Sequence, residues 1–363
     1  MTQRLHNFNA GPATLPLEVL QHAQKDLVCY PQAGMSVMEM SHRSPNFAQI
    51  IDRTRSLITD LYDIPDTHEV LFLQGGASLQ FAMIPLNFGG YGAYINTGTW
   101  STRALAEARV VSQADEVWSS EKESFNRVPS DQIQIEDQHT YLHFTSNNTI
   151  YGTQYSTLPS AQQPIPLIAD VSSDFFSKKL DLNRFDLLYG GAQKNAGPSG
   201  VTLLIIRKSI SQNPAATQNC PKILQYQTHS QKESMYNTPN TFGIYLLGLM
   251  AQWMSDRGGL DQIEKQNRKQ ANIIYDLIDQ YSDIYQGHAQ RESRSVMNIT
   301  FRLTDPARQT EFLNQSESLG LVGLKGHRSV GGLRASLYNA LSDESVDALA
   351  SFLSNFAQQR RHQ

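Results

Sequence analysis

The sequence predicts an α/β protein, with a large domain built on a mostly parallel sheet between helices and a small α+β domain. Three observations lead there. Between Leu15 and Ile206 short apolar runs alternate with stretches of helical spacing, the pattern of a parallel sheet covered on both faces. Several of those runs end in glycine-rich turns, as at Gln74-Gly-Gly-Ala-Ser78 and Tyr189-Gly-Gly-Ala-Gln-Lys194. Beyond Gly258-Gly259 the order changes to strand, helix and a glycine-rich hairpin. Residues 15–257 are therefore expected to form the large domain, and residues 1–14 with 258–363 the small one.

Composition narrows the class. The chain has 363 residues, 40% hydrophobic and 18% charged, enough for a sizeable core. A net charge of −4 suggests no nucleic-acid surface; positive charge clusters only at Arg360-Arg361-His362, as on a solvated helix end. No run approaches a membrane span and no signal-like apolar region appears, so a cytoplasmic protein is expected. Cys29 and Cys220 have neither metal-ligand nor CxxC spacing and read as reduced thiols.

Taken in order, Asn7 to Pro16 is a turn-rich entry, and Pro16 opens a helix to about Cys29 with Leu17, Leu20 and Leu27 on its apolar side. The polar loop Ser41-His42-Arg43-Ser44-Pro45 precedes a helix over Phe47 to about Tyr62. Glu69 to Leu73 is a strand, and Gln74-Gly-Gly-Ala-Ser78 starts a helix, an arrangement that turns backbone N–H groups toward a phosphate. It is neither a dinucleotide fingerprint nor a Walker A loop. A strand from Tyr94 leads through a glycine turn to Trp100, ahead of a helix over Ser101 to Arg109. Tyr141 to Thr145 is a strand feeding the hydroxyl- and amide-rich loop Ser146 to Gly152. Ile165 to Asp170 is a strand ending on a carboxylate, which is costly to bury without a cationic partner.

Phe185 to Tyr189 and Val201 to Ile206 are strands flanking the turn that carries Lys194. Burial at that sheet edge would disfavour the ammonium form and leave an amine able to attack a carbonyl. Helices follow over Phe242 to about Trp253 and Leu260 to Tyr281, then a strand over Met297 to Leu303 and a helix over Ala307 to Leu319. Val322 to Lys325 and Val330 to Tyr338 are the last strands, and a helix capped by Ser342 closes the chain. His327, Arg328 and Arg334 around the hairpin look arranged for an anion.

Lys194, Asp170, Trp100 and the helix start at Gly75-Gly76-Ala77-Ser78 are the parts pyridoxal phosphate requires: an amine for its aldehyde, an anion for its ring nitrogen, an aromatic face and a phosphate cup. The surrounding motifs are Phe8-Asn-Ala-Gly-Pro12, Ser36-Val-Met-Glu-Met-Ser-His-Arg43, Leu73-Gln-Gly-Gly-Ala-Ser78, Asn147-Asn-Thr-Ile-Tyr-Gly152, Tyr189-Gly-Gly-Ala-Gln-Lys-Asn195, Tyr236-Asn-Thr-Pro239 and Leu324-Lys-Gly-His-Arg-Ser-Val-Gly-Gly-Leu-Arg-Ala-Ser336. Through them nearly the whole chain resembles the class-V, fold type I, pyridoxal-phosphate-dependent aminotransferases, the last block pointing to phosphoserine transamination.

That resemblance implies that Lys194 holds the cofactor's aldehyde and shuttles the α-proton, with Asp170 on the ring nitrogen, Trp100 on the ring face and Thr149 on the 3-oxygen. It puts the cofactor phosphate on Gly76, Ala77 and Gln193, with Asn237 and Thr238 of a partner subunit, which implies a homodimer with shared active sites. It gives Arg334 the substrate α-carboxylate, and His42, Arg43 and, from the other subunit, His327 and Arg328 the side-chain anion. No metal is implied. The activity implied is reversible amino transfer from L-glutamate to 3-phosphohydroxypyruvate, giving O-phospho-L-serine and 2-oxoglutarate in serine synthesis, with a related step of vitamin B6 synthesis as a second use. Some members carry an arginine in the phosphate-cup turn, where this chain has Ala77-Ser78. The alternatives are another class-V enzyme, such as a serine or alanine-glyoxylate aminotransferase, and a non-catalytic dimeric module of the same fold.

Overall fold

A computed structural model describes residues 4–217 and 220–361; the side chains of the basic cluster Arg360-Arg361-His362 lie outside the described residues. The first part of the chain comprises β1 (His6–Asn7), α1 (Leu17–Val28), α2 (Pro45–Tyr62), β2 (His68–Leu73), α3 (Gly76–Phe88), β3 (Tyr91–Asn96), α4 (Thr99–Val111) and β4 (Gln113–Ser119). Then come β5 (His139–Thr145), β6 (Leu167–Asp170), β7 (Leu187–Gly191) and β8 (Thr202–Arg207), followed by α5 (Thr241–Asp256) and α6 (Gly259–Gln280). Further along come β9 (Tyr285–Gly287), β10 (Asn298–Leu303), α7 (Gln309–Ser318), β11 (Leu321–Val322), β12 (Leu333–Ser336) and α8 (Asp343–Arg361), with a few shorter helices, turns and a two-residue strand pair between the named elements.

Seven strands form one sheet in the order β2-β8-β7-β6-β5-β3-β4. β4, β3, β5, β6 and β7 pair in parallel, whereas β8 runs antiparallel to both its neighbours, β7 and β2. The apolar side chains of the central strands pack against helices on both faces. One apolar cluster holds Phe72, Ala93, Phe144, Leu188 and Leu203 with Ile58 and Leu247; another holds Leu71, Tyr94, Ile168, Tyr189 and Leu204 with Phe81 and Leu105. A separate core gathers Phe8, the C-terminal half of α6, Phe301, Phe312, Leu333 and Phe352 around the three-stranded sheet β9-β10-β12. β1 joins this region by pairing in parallel with β11.

Three local expectations are corrected. On α1, Leu17, Leu20 and Leu27 are 47%, 36% and 41% exposed, and Val19, Ala23 and Asp26 face inward instead. Asp26 can be buried there because the Tyr245 hydroxyl donates to its Oδ2 at 2.6 Å. Trp100 does not precede its helix but sits in the first turn of α4. The final strand is shorter than Val330 to Tyr338, since Gly331 and Gly332 adopt φ of 74° and 64° and keep the chain in a turn until Leu333.

Candidate active site

The C-terminal ends of β3, β5, β6 and β7 deliver the polar side chains to one rim of the sheet, as expected for an open α/β sheet. β7 runs into the turn that carries Lys194. The Lys194 Nζ donates to Thr149 Oγ1 at 2.7 Å and lies 5.0 Å from the centre of the Trp100 ring. Loss of water lowers its pKa, Asp170 raises it and Arg334 lowers it again; the balance moves it from 10.5 to about 8. The amine form is thus within reach near neutral pH.

Asp170 closes β6 and is only 4% exposed. Its Oδ1 accepts from the Ser172 backbone N–H at 2.9 Å and from the Ser172 hydroxyl at 2.6 Å. Burial raises its pKa, against the pull of Lys194 and the two Ser172 bonds. The other oxygen, Oδ2, accepts no hydrogen bond among the described residues. A buried carboxylate with one open oxygen fits a cationic group that is not part of the polypeptide.

Thr149 links two regions. Its hydroxyl meets Lys194, and its carbonyl accepts from Arg334 Nη1 at 3.1 Å. Arg334 comes from β12, and its Nε is buried without a partner among the described residues. Burial pushes its guanidinium pKa down. A donor left unpaired at such a position suits an arriving carboxylate. The N-terminal segment reinforces the site: Ala13 donates its N–H to the Gln193 carbonyl, and the Tyr338 hydroxyl donates to the Ala10 carbonyl. Gly11 is required there, because at φ 141° a Cβ would lie 3.1 Å from Lys194 Cγ.

The N–H groups of Gly76, Ala77 and Ser78 open α3 and meet no side-chain acceptor among the described residues, leaving them for an anion. Gly75 sets the approach at φ 89°, with Leu79 Cδ2 only 2.6 Å from where a Cβ would stand. The Gln193 amide folds against Gly191. Gln74 Nε2 donates to the Thr238 carbonyl at 3.1 Å, tying the Asn237-Thr238 loop beside the helix start while both side chains stay exposed. Together the amine, the open carboxylate oxygen, the aromatic face and the helix start fit pyridoxal phosphate.

Arg334 shares its end of the site with His327 and Arg328. Burial lowers the His327 pKa, and Arg334, Arg328 and Arg103 of the same chain lower it further. No hydrogen bond or ion pair among the described residues joins the His42 or Arg43 side chain to this group; His42 is half-buried and Arg43 exposed in the turn before α2. The sequence reading missed Arg103, whose guanidinium lies 5.1 Å from the Trp100 ring centre. Its only signal was an i, i+3 spacing from Trp100 on a helix.

Comparison with known proteins gives consistent results. The family model described as aminotransferase class-V matches residues 5–349. A phosphoserine aminotransferase of Bacillus subtilis (strain 168) is 47% identical over 360 residues, covering 98% of this chain and 99% of the relative. The solved structure of a phosphoserine aminotransferase from Bacillus circulans subsp. alkalophilus superposes with a TM-score of 0.96 at 46% identity, over 99% of this chain and 100% of that one. A pyridoxal-phosphate-bound phosphoserine aminotransferase from Trichomonas vaginalis gives 0.91 at 34% identity, over 97% and 100%.

Proposed function

Because the chain belongs to the class-V aminotransferases and works with pyridoxal phosphate, we infer that it transfers the amino group of L-glutamate to 3-phosphohydroxypyruvate, giving O-phospho-L-serine and 2-oxoglutarate. The observation that carries this reading is the junction at Thr149, where an amine poised near pH 8 and an under-partnered arginine meet on one residue.

When bound, the cofactor supplies the electron sink that lets the substrate Cα lose its proton. The chain's own groups do the rest. Asp170 Oδ2 would face the ring nitrogen and favour a positive charge there. Arg334 receives the α-carboxylate common to both substrates and so turns the Cα–H bond toward Lys194. Lys194 Nζ, as a neutral amine, takes that proton and returns it, with Thr149 Oγ1 fixing its direction. The N–H groups of Gly76 and Ala77, with Gln193, would hold the cofactor phosphate, and Trp100 would cover the ring.

A homodimer with shared sites belongs to the same reading. Asn237 and Thr238 would reach the partner's phosphate cup, and His42 and Arg43 would be joined by His327 and Arg328 from the other subunit. Support comes from the apolar residues left exposed on and near α1, namely Leu17, Leu20, Leu27, Val28, Met35 and Met38. The division into residues 15–257 and residues 1–14 with 258–363 is supported by the two cores. α6 bridges them, placing Leu260 and Ile263 in the first and Ala271 to Ile278 in the second. No helix among the described residues is long and apolar enough to cross a membrane; a cytoplasmic location and a second use in vitamin B6 synthesis are proposals.

The test compares 3-phosphohydroxypyruvate with glyoxylate and pyruvate as acceptors, glutamate being the donor. Preference for the phosphorylated acid is expected. Preference for glyoxylate would favour the alternative class-V activity, and no turnover, with no borohydride-reducible adduct at Lys194, would favour the non-catalytic module.

A further inference from the structure

Glutamate and phosphoserine present the same problem of discrimination to any site that takes both. In each, the distal anion is attached three bonds from Cα, so the depth of the pocket cannot tell them apart. The anions differ in shape and charge. A carboxylate has two coplanar oxygens and one charge, whereas a phosphate has a third, out-of-plane oxygen and carries close to two charges near neutral pH. Selecting the phosphate therefore takes a donor, preferably a fixed charge, outside the plane that serves the carboxylate.

Beside Arg334 stands Arg328, an exposed guanidinium with no carboxylate within ion-pair distance among the described residues, but the other groups supply fewer charges than their number suggests. Arg334 is committed at Nη1 to Thr149, on the α-carboxylate side. His327 Nδ1 accepts from the Ser329 N–H at 3.3 Å and is in contact with the Ser329 hydroxyl at 2.7 Å, an arrangement that assigns its proton to Nε2. Burial and three neighbouring arginines push it toward the neutral form, in which it offers a hydrogen bond but no charge. Arg103 is one of those neighbours. It is exposed, has no carboxylate within ion-pair distance among the described residues, and its guanidinium stacks over the same Trp100 ring that Lys194 approaches from 5.0 Å. An arginine spent on no acid, and held on the aromatic wall of the site by its own helix, is positioned for use by a ligand.

We propose that Arg103, braced on Trp100, adds to the distal arginines the further charge that distinguishes a substrate phosphate from a carboxylate at that end of the site. The proposal rests on the phosphoserine reading above and names a specificity residue within it. Trp100 then has two tasks, covering the cofactor ring and fixing the direction of an arginine toward the substrate.

The experiment uses the holoenzyme and its Arg103→Gln and Arg103→Lys variants, with KM and kcat measured separately for phosphoserine and glutamate. Inorganic phosphate binding is followed in parallel through tryptophan fluorescence. Arg103→Gln is expected to raise the KM for phosphoserine and the dissociation constant for phosphate by about tenfold, the worth of one charge-assisted hydrogen bond. The KM for glutamate should change by less than about twofold, and Arg103→Lys should recover most of the loss. Equal changes for both substrates, or a shift in the holoenzyme's absorption band, would reduce Arg103 to a support for Trp100 and overturn the proposal. So would no change at all. If the wild-type holoenzyme ignores phosphoserine, the functional reading fails instead, and the phosphate titration still decides whether Arg103 binds a phosphate.

Discussion

Around Phe312 aromatic rings close on one another. Phe312 meets Tyr285, Phe301, Phe352 and Phe356 at centroid distances of 4.8 to 6.5 Å, and the buried hydroxyls of Tyr275 and Tyr285 donate to the Ser295 and Leu353 carbonyls. At the rim of the seven-stranded sheet the pattern reverses. Trp100 Nε1, Thr145 Oγ1, Asn148 Oδ1 and Arg334 Nε are buried without partners among the described residues, close to a buried carboxylate and a lysine with a depressed pKa. The first region is satisfied and apolar, which is how a core gains stability. The second gives up stability to keep donors and acceptors open, which is how a site gains a ligand.

Mutations can test this contrast. Lys194→Ala should cut turnover by at least about 10⁴-fold, because no other amine among the described residues stands at that place; appreciable turnover in a cofactor-reconstituted assay would reject the assignment. Asp170→Asn should lower kcat by about 10³-fold with little change in the urea midpoint, since it removes a charge facing the cofactor rather than a packing contact. Phe312→Ala should do the opposite, costing about 3–5 kcal/mol in denaturant unfolding while the folded fraction keeps its kcat. Loss of kcat in step with stability would mean that the two regions are coupled. Arg334→Ala should raise KM about thirtyfold for both substrates, because both carry the α-carboxylate; a loss confined to the phosphorylated one would contradict its role.

The smallest effect concerns pH. With a pKa brought down to about 8, the amine form of Lys194 grows with rising pH and saturates above that value. Uptake of pyridoxal phosphate by the apoenzyme, followed by absorbance, should therefore quicken by up to about tenfold per unit below pH 8 and level off above it. A rate still climbing at pH 10 would return the lysine to an ordinary exposed environment.

The sequence carried these features unevenly. β7, β8 and the Lys194 turn were legible because Leu187 to Gly191 and Thr202 to Arg207 are apolar runs punctuated by glycine. β4 was not, since Gln113–Ser119 lies at the sheet edge and is largely polar, with no buried run to mark it. The exposed side of α1 was misassigned because leucine spacing identifies an apolar stripe without saying what covers it. Arg103 had no motif at all; its position becomes meaningful only once α4 places it over Trp100. Thr149 could be nominated from the sequence, but its bond to Arg334 spans 185 residues and had to come from the fold.

β8 offers a last consequence. Because it runs against its neighbours, the chain passes from β7 to β8 through a short reversal, with Ala192 N–H on the Val201 carbonyl, instead of through a crossover helix. Lys194 is consequently moored upstream and downstream to adjacent interior strands, and Asn195 adds a third mooring by taking the Asn339 N–H on its side chain. A reactive side chain mounted this way has little backbone slack with which to follow a changing ligand. Adapting such a scaffold to new substrates would then fall to the surrounding segments, while the reversal keeps its length and register.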